Sequence, residues 1–550
     1  MVSGIWTVFN TFGQSQAWNV DGGILAGTGT LSALNINSGG TLAPGNIGAP
    51  GTFMTVTGSL AFQPGATYLV QLDPNVASRV NVDGNASLHG TVDAVFMPGL
   101  YASIKTYDIL HSGGLNGTTF DNLVTNLSPN FTANLSYTAT DVFLNLGADL
   151  GNGMNLNQNQ LSVSSALNNF FNNGGTLPPD FANLFNLTGN NLANALTQLD
   201  GQVSTDADHG VFQLMTQFLT LMLDRWVDGR SGGGGGGAFG FAPDQETSFP
   251  PDVALAYASV LKAPPKASFD QGWTAWGSAF GGTSKIDGDP VVGSATVTAS
   301  DYGFAAGMDY RASPDTIVGF ALAGGGTGWS VAQGLGTGRS DAFMAGAYGT
   351  KYWGPAYLAG AVAFANHWLT TNRVVLNDQL TANFAGQDFA GRVEAGYRYA
   401  VPIQGADIGI APYAALQTQW FHTPTYSETD LTGGGFGLTY SAATVSDTRS
   451  ELGARFDDFI TFNDKPLILH GRLAWAHDWI GGAAQTAAFQ ALPGSSFSVS
   501  GANGPTDSAL TTAMAEWHFR PRWSLTAKFD GEFAQGAQTY AGTGMLRFSW

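Results

Sequence analysis

Alternating apolar and polar side chains over residues 268–550 constrain this chain more than any other feature. About twelve segments alternate in this way, each with the roughly ten residues that a tilted membrane-spanning strand needs. In "DFAGRVEAGYRY", for example, Phe389 and Val393 alternate with Arg392 and Glu394. Successive side chains of a β-strand point to opposite faces, so the pattern predicts long strands with one apolar and one polar face. It does not orient the faces, because a soluble sandwich with a dry interior alternates too.

Aromatic residues at the ends of the apolar faces indicate that these faces contact lipid, because Tyr, Trp and Phe form girdles at both interfaces of a membrane barrel. The pairs are Tyr302 and Tyr310, Trp475 and Trp479, and Trp523 and Phe533. Closing twelve long strands into a barrel also removes both sheet edges and pairs every backbone group. We therefore predict an antiparallel transmembrane β-barrel of about twelve strands over residues 268–550.

The charged side chains on the polar faces should then point into the barrel. Opposite charges on neighbouring strands would fill a narrow lumen as ion pairs, and they would also give a polar wall past which a chain can slide. The predicted lumen-facing residues are Arg392, Glu394, Arg398, Glu451, Arg455, Arg472, Lys528, Glu532 and Arg547.

Residues 1–147 read as short apolar strands separated by Gly, Asn, Ser and Pro. "LNINSGGTLAPG" (residues 34–45) aligns with "MTVTGSLAFQPG" (54–65), and "VNVDGNASLHG" (80–90) resembles a third copy. Strand-turn units of about 20 residues predict a β-solenoid. Clustered aromatics over residues 101–146 predict a hairpin that caps one end. An ordinary β-sandwich is the alternative.

Residues 151–265 change to a helical period and form a predicted connector. Helices are predicted at 191–199 and 203–228, and six glycines at 232–237 indicate a flexible linker. A third helix, 252–262, closely precedes the first barrel strand and carries small side chains, so we expect it to plug the lumen. The longer helix at 203–228 is the alternative occupant.

Composition and motifs argue against an enzyme or a nucleic-acid-binding protein. The net charge is −19 and the pI is about 4.5, whereas nucleic-acid binders carry basic patches. Without cysteine the chain has no disulfide or thiolate site. None of the 8 histidines lies in a zinc motif, there is no G-x-S-x-G elbow, and the glycine run has no preceding strand for a dinucleotide site. We predict no catalytic residue, no metal ligand and no cofactor.

Three stretches resemble type V autotransporters. They are "LTGNNLANALTQLDGQVSTDADHGVFQLMTQFLTLMLD" (187–224), "WTAWGSAFGG" from Trp273, and the closing "SLTAKFDGEFAQGAQTYAGTGMLRFSW" (524–550). The resemblance covers residues 35–550. It implies an all-β chain with a right-handed β-helical passenger end and an autochaperone-like cap (1–147), a helical connector (151–265) and an outer-membrane translocator (268–550). It also identifies a carboxy-terminal β-signal at Tyr540, Leu546, Phe548 and Trp550.

The resemblance implies a translocator in the Gram-negative outer membrane that exports its own passenger to the cell surface. Its implied partners are outer-membrane lipid, the barrel assembly machinery and periplasmic chaperones, with no nucleic acid. A surface adhesin or matrix protein whose barrel is only an anchor, and a passive pore, are the alternatives. Self-cleavage at Asn190–Asn191 is not expected. No signal peptide precedes Met1, so we expect the natural reading frame to begin upstream. The passenger's ligand and its release by cleavage are not predicted.

Overall fold

The computed structural model describes residues 4–13, 16–102, 105–227, 272–403, 406–482 and 484–550. Short strands make up its amino-terminal region, which we define as residues 4–150. They are β1 (Ile5–Val8), β2 (Thr11–Phe12), β3 (Trp18–Val20), β4 (Gly23–Gly27), β5 (Thr30–Leu31), β6 (Leu34–Ile36), β7 (Gly40–Pro44), β8 (Phe53–Val56), β9 (Leu60–Phe62), β10 (Thr67–Leu72), β11 (Arg79–Ser87), β12 (Thr91–Phe96), β13 (Thr106–Gly114), β14 (Asn122–Thr125), β15 (Phe131–Tyr137) and β16 (Asp141–Ala148).

Parallel pairing dominates the amino-terminal region. The chain visits three sheets in turn, so that β1, β4, β7, β10, β12 and β14 stack in one, β2, β5, β8, β11 and β13 in a second, and β3, β6 and β9 in a third that joins β11. Alternate residues of these strands point inward, and Leu34, Ile36, Leu60 and Phe62 are almost fully buried. The core of this region therefore lies between parallel sheets rather than between two antiparallel layers.

The stacking period differs from the predicted unit of about 20 residues. Leu34 pairs with Leu60, and Phe53 pairs with Arg79. Both pairs are 26 residues apart in sequence, so residues 34–36 stack on residues 60–62 and not, as the alignment predicted, on residues 54–56. The sequence alignment matched Pro-Gly turns, whereas stacking is decided by which apolar side chains share a buried face.

An antiparallel hairpin ends the region, which confirms the hairpin predicted there. β15 pairs with β16, and β16 pairs with β13, so two antiparallel strands extend an otherwise parallel sheet. At the base of the hairpin, Asn130 donates hydrogen bonds to the carbonyl oxygens of Phe185 (3.0 Å) and Leu187 (2.7 Å) in the helical segment that follows.

Four α-helices follow: α1 (Gln158–Asn172), α2 (Pro179–Asn183), α3 (Gly189–Leu199) and α4 (Ala207–Val227), with short 3₁₀ turns at Leu184–Asn186 and Gln202–Ser204. A capping box starts α1, because the Asn157 side chain accepts from the Gln160 amide and the Gln160 side chain accepts from the Asn157 amide. Among the described residues, no helix is both long and apolar enough to cross a membrane. The predicted linker at 232–237 and the predicted plug at 252–262 lie outside the described residues.

The carboxy-terminal half is a closed antiparallel barrel, which confirms the predicted count of twelve strands. β34 pairs with β17, and this pairing closes the ring. The wall strands are β17 (Trp273–Ile286), β18 (Val297–Ser313), β19 (Thr316–Val331), β20 (Gly336–Trp353), β21 (Ala356–Val375), β22 (Asp378–Tyr397), β24 (Ala406–Thr423), β28 (Ala443–Phe462), β29 (Lys465–Gly481), β32 (Asp507–Arg520), β33 (Trp523–Ala534) and β34 (Ala537–Ser549).

The two ends of the barrel differ. β17 begins and β34 ends at what we call the short-turn end, where two-residue turns join β18 to β19, β20 to β21, β28 to β29 and β32 to β33. The opposite, long-loop end includes residues 424–442 and 482–506, and small strands lie near or within these loops. They are β23 (Tyr399–Ile403), which pairs with β24 on the short-turn side, and β25 (Tyr426–Ser427), β26 (Thr429–Asp430), β27 (Leu438–Tyr440), β30 (Ala484–Phe489) and β31 (Ser496–Ser500) on the long-loop side.

The loop sheet (β25, β27, β30 and β31) joins the barrel to the rest of the chain. Its Phe489 and Phe436 of the preceding loop pack on Phe181 of α2, with ring centroids 5.1 and 4.8 Å apart. One continuous hydrophobic core includes the interior of the amino-terminal region, α1 to α3 and this sheet. The amino-terminal region therefore rests on the long-loop end of the barrel.

The outer face of the barrel is apolar and exposed. Large hydrophobic side chains lie at alternate positions on the strands, and examples are Phe304, Val362, Trp368, Leu473, Trp475 and Leu546. Apolar surface on this scale is unstable in water and suits the hydrocarbon interior of a membrane. The apolar face of the strands therefore points outward, which the alternation by itself left open.

Candidate functional site in the barrel lumen

Helix α4 lies inside the barrel, with its amino end at the long-loop end. Its apolar side chains, Leu214, Met215, Phe218, Leu219, Met222 and Leu223, are almost fully buried. They form one cluster with inward-facing residues of β17 to β22, including Trp276, Phe280, Ala321, Met344, Ala359, Ala361, Ala363 and Ala365. The lumen helix that the structure describes is thus the alternative from the sequence, the helix predicted at 203–228, while the preferred segment at 252–262 lies outside the described residues.

Small residues let the helix approach this wall. Every second residue of β21 faces inward, and four of these in succession are alanines, Ala359, Ala361, Ala363 and Ala365. We call these alanines, together with their inward-facing neighbours on β17 to β22, the alanine wall. On β20, Gly346 has the same role, because a Cβ atom at that position would lie 2.7 Å from the terminal methyl of Met222. A helix with side chains is about 10 Å wide, and small side chains on the wall leave room for it inside the barrel.

The opposite wall, formed by β24, β28, β29, β32 and β33 together with the carboxy-terminal part of β22, carries ion pairs. Arg392 contacts Glu451 through two hydrogen bonds (2.6 and 2.9 Å) and Glu394 through one (2.9 Å). Arg455 in turn donates to both oxygens of Glu394 at 2.8 and 3.0 Å. All four side chains are almost fully buried. We call this side of the lumen the ion-pair wall.

Asp224 near the end of α4 joins the helix to the ion-pair wall. Its carboxylate pairs with Lys528 and lies 3.4 Å from Arg455. Lys528 also pairs with Asp530 at 2.9 Å, and Arg472 lies 3.7 Å from Glu451 and 3.6 Å from Asp530.

The described members of this central network balance in charge. Its cations are Arg392, Arg455, Arg472 and Lys528, and its anions are Glu394, Glu451, Asp530 and Asp224. Buried charges are tolerated only when they are paired and hydrogen-bonded, so the balance makes a charged wall compatible with a lumen closed by a helix.

The structure gathers six of the nine predicted lumen residues, Arg392, Glu394, Glu451, Arg455, Arg472 and Lys528, into this network. The other three lie elsewhere in the barrel. Glu532 pairs with Arg449 (2.7 Å). Arg398 pairs with Asp457 (2.7 Å), and Arg547 pairs with Asp309 (3.1 Å), both towards the short-turn end.

The sequence reasoning missed several members of the site. Arg449, Asp478, Asp309 and Asp530 lie on polar faces, so counting every charge by alternation would have found them. Asp224 gave no such signal, because helical periodicity does not say which residue of a helix meets a wall. Tyr357 and Tyr413, which donate to Glu394 (2.9 Å) and Glu451 (3.1 Å), come from otherwise apolar patterns.

A polar cavity of about 190 Å³ remains between α4 and the strands β28 to β34. Gln213, Thr216, Gln217 and Thr220 line it from the helix, and Arg449, Asp478 and Glu532 are among its wall residues. The polar face of α4 thus leaves room for solvent on one side while the apolar face is packed on the other. Within the described residues, no group of His, Asp or Glu is arranged to hold a metal ion.

Hydrogen bonds hold the chain at the long-loop mouth of the barrel. The Gln202 amide group exchanges two hydrogen bonds with the backbone of Ala295, accepting at 2.8 Å and donating at 3.1 Å. The indole of Trp329 donates to the Val203 carbonyl at 2.9 Å, and the Ala502 amide donates to Asp206 at 3.0 Å. These contacts fix the entry of α4 into the lumen.

Two buried carboxyl groups lie ahead of α4 at this mouth. Burial raises the pKa of Asp200 to about 7, against the opposing effects of a hydrogen bond from the Gln202 amide and the charge of Arg373. Burial likewise raises the pKa of Asp206 to about 7, against the charge of His209. The charge of each group therefore changes in the neutral pH range.

The four predicted β-signal residues lie on the last strand and its end. Tyr540, Leu546 and Trp550 are exposed on the outer face, and Phe548 is half-buried between Trp523 and Trp550. Trp550 exchanges backbone hydrogen bonds with Trp273 (3.0 and 3.2 Å), so the last residue completes the barrel seam.

The lumen next to this strand is not polar at every inward position. The alternation of residues 539–550 predicts that Met545 faces a polar lumen, but Met545 is buried in the cluster around α4 and its sulfur lies 3.4 Å from Arg547. The expectation failed because alternation distinguishes inside from outside and does not show what fills the inside.

A closed twelve-stranded barrel with an apolar outer face and a helix in its lumen belongs to the outer-membrane class of β-barrel proteins. The sequence model of the family described as "Autotransporter beta-domain" matches residues 275–530. The barrel therefore carries the autotransporter β-domain, and this match supports a type V autotransporter. No curated protein matches the chain in sequence.

Solved translocator domains resemble the barrel. The translocator domain of autotransporter NalP from Neisseria meningitidis is 14% identical, with a TM-score of 0.40 over 54% of this chain and 97% of that chain. The beta domain of the Bordetella autotransporter Brka is 16% identical, with a TM-score of 0.39 over 51% of this chain and 100% of that one. The transport unit of AIDA-I from Escherichia coli is 13% identical, with a TM-score of 0.34 over 54% and 97%. At these scores the likenesses carry no further argument.

Proposed function

We infer that this barrel exports the amino-terminal region and then anchors it at the cell surface. The path of the chain carries this proposal. The amino-terminal region rests at the long-loop end, α4 lies within the lumen, and β17 begins at the short-turn end. In outer-membrane barrels the short turns face the periplasm and the long loops face the exterior. A chain with these positions crosses the membrane through its own barrel.

The two lumen walls suit this role. A polar, charge-balanced wall gives a sliding chain few apolar contacts to stick to, while the alanine wall provides a place where an amphipathic helix comes to rest. The remaining cavity of about 190 Å³ argues against the alternative of a passive pore. The other alternative, an adhesin or matrix protein with the barrel as its anchor, is compatible with export and differs only in what the exported region binds.

The exported region is proposed to be a right-handed β-helix over residues 1–147. Its support is the succession of three parallel sheets that the chain visits in turn, ended by the antiparallel hairpin of β15 and β16. Folding outside the cell, starting from this autochaperone-like hairpin, would give export its direction without nucleotide hydrolysis. Residues 151–265 would then serve as the connector and 268–550 as the translocator.

The partners that we propose follow from this location. Outer-membrane lipid contacts the apolar outer face, and periplasmic chaperones and the barrel assembly machinery handle the chain before insertion. The outward residues Tyr540, Leu546, Phe548 and Trp550 form the β-signal that the machinery reads. We propose no nucleic acid, cofactor or catalytic activity, and the ligand of the surface region stays open.

Protease treatment of intact cells tests the proposal. An epitope in the amino-terminal region should be accessible to antibody and to protease from outside, while the barrel keeps the different gel mobility of boiled and unboiled samples. Deletion of Trp550 should lower this surface exposure in cells and leave refolding in detergent nearly normal. An amino-terminal region that stays protected in cells with a folded barrel would contradict export.

A further inference from the structure

Helix α1 stands between the amino-terminal region and the barrel, and it contacts each of them with a different end. Its first turn meets the loop sheet and its last turns meet the end of β16. Both contacts use asparagine side chains whose amide groups replace a neighbouring strand. Helix α1 therefore links the amino-terminal region to the loop sheet.

The contact with the barrel is made by Asn159. Its Nδ2 donates to the Ser500 carbonyl at 2.9 Å, and the Ser500 amide donates to its Oδ1 at 3.1 Å. Ser500 is the last residue of β31, at the edge of the loop sheet. Nearby, the Val291 and Val292 carbonyls of the β17–β18 loop accept from the first amides of α1 at 3.2 and 2.9 Å.

The contact with the amino-terminal region repeats this chemistry. Asn172 donates to the Ala148 carbonyl (3.0 Å) and accepts from the Ala148 amide (2.8 Å). One turn earlier, Asn168 exchanges hydrogen bonds with the backbone of Leu150 at 2.8 and 3.5 Å. These bonds lie just after the last strand of that region.

Apolar packing runs alongside both contacts. Phe131 of β15 packs on Phe185 and on Phe171 of α1, with ring centroids 4.8 and 6.0 Å apart. Phe181 continues this packing onto the loop sheet. Buried aromatic contacts and two-way amide pairs are the features of a stable interface between separate chains.

The backbone on either side of α1 is exposed. Asn152 and Gly153 before the helix, and Asn173 and Gly174 after it, lie at the surface, and a Cβ at Gly153 or Gly174 would meet no atom within 4 Å. A protease could therefore reach both turns without unfolding the contacts that α1 makes.

We propose that α1 is a non-covalent anchor, which keeps the amino-terminal region on the barrel after the chain is cut on either side of the helix. A cut after Asn173 leaves α1 on the amino-terminal fragment, held to the barrel through Asn159, α3 and the loop sheet. A cut after Gly153 leaves α1 on the barrel fragment, holding the amino-terminal region through Asn172 and Asn168. In both cases the amino-terminal region stays bound to the barrel after the cut.

The test uses two versions of the full chain in detergent, each with the recognition site of a specific protease, inserted after Gly153 in one and after Asn173 in the other. After cleavage, capture through a tag at the amino terminus should bring down the barrel fragment in both. Because the purified protein is used, failure here is separate from failure of export. The same cleavage on intact cells separates the two proposals. A chain that the protease does not cut, with a folded barrel, contradicts export. An amino-terminal region that is cut and then lost from the cells contradicts the anchor.

Two substitutions should act in a crossed pattern. Asn159→Ala should speed dissociation on the order of tenfold for the cut after Asn173, because two hydrogen bonds are lost, and should leave the other cut unaffected. Asn172→Ala should do the reverse. Asn169→Ala, at an exposed position of the same helix, is the matched control for both.

The crossing separates an anchor from general destabilisation, which would speed release in all combinations. Gel mobility of unboiled samples confirms that the barrel is folded in each variant. Capture of the amino-terminal fragment alone, with a folded barrel and unsubstituted α1, would overturn the proposal. So would equal effects of Asn159→Ala and Asn172→Ala on both cuts.

Discussion

The two walls of the lumen face the same helix and solve different problems. The alanine wall offers small, uncharged side chains, and the apolar face of α4 packs on them. The ion-pair wall carries eight charged groups in the described part of the central network, counting Asp224 of α4, and leaves a cavity beside the polar face of the helix. One wall stabilises the helix by burial, and the other holds it by a charge at its end.

This difference shows that the lumen is amphipathic around its circumference. A uniformly polar lumen would leave the buried leucines and methionines of α4 against charges, and a uniformly apolar one would leave Asp224 buried without a partner. The match between helix and wall explains how one barrel can present a polar path and also hold a resident helix. Substitutions that exchange the characters of the walls test this interpretation.

The largest effect is expected from placing a charge in the alanine wall. Ala365 is fully buried and pairs across the sheet with Asp388. Ala365→Glu would bury a carboxylate without a cation and beside another acid, so we expect a loss of more than about 3 kcal/mol in barrel stability. The temperature at which the unboiled gel band is lost measures this. Ala365→Gly keeps the space and should change little, so equal damage by both would show that the site is sensitive to any change.

The next effect breaks the ion-pair wall. Arg392→Met leaves Glu451 without its two closest hydrogen bonds, and breaking a buried pair in this way costs about 3–5 kcal/mol. The double variant Arg392→Met, Glu451→Met removes both charges and should be more stable than the single one. Thermal loss of the folded gel band compares the two. A double variant that is less stable than Arg392→Met would mean that the wall is not held by this pair.

A third prediction separates the lipid face from the lumen. Leu546 is exposed on the outer face, so Leu546→Arg would place a charge against lipid, at a cost of up to about 2–4 kcal/mol. Thr539 of the same strand lies on the inward face, where it pairs with Glu532 across the sheet and lines the cavity beside α4. Thr539→Lys should therefore be tolerated. Folding yields into lipid vesicles measure both, and comparable yields for the two variants would make the face assignment wrong.

The smallest effect concerns pH at the long-loop mouth. The pKa of Asp200 is raised by burial to about 7, so the folded state binds a proton that the unfolded state releases near pH 4. Stability should therefore fall by about 1 kcal/mol between pH 6 and pH 8, as the carboxyl loses that proton. Asp200→Asn should remove this contribution and leave that of Asp206, whose pKa burial also raises to about 7. Hydrogen exchange of residues 200–206 at the two pH values measures it, and an unchanged slope in the Asn variant would assign the effect to another group.

Much of the barrel could be predicted from the sequence because a membrane imposes strict alternation. The segment around Phe389, Val393, Arg392 and Glu394 shows it, since the first two are exposed to the outside and the last two are buried inside. Strand number and the closing strand followed from the same rule. The amino-terminal region was harder, because turn residues recur at positions that need not be stacked.

Sequence alone determined which side chains share a face, since alternation is a local property of a strand, and the aromatic residues at the ends of the apolar faces indicated which face meets lipid. It could not determine the lumen helix, because 252–262 and 203–228 are both compatible with a barrel interior. Tertiary structure decided that α4 lies against the alanine wall, that Met545 meets the helix rather than water, and that Asp224 completes the ion pairs. These outcomes depend on complementary surfaces from segments hundreds of residues apart, and packing of that kind leaves no period in the sequence.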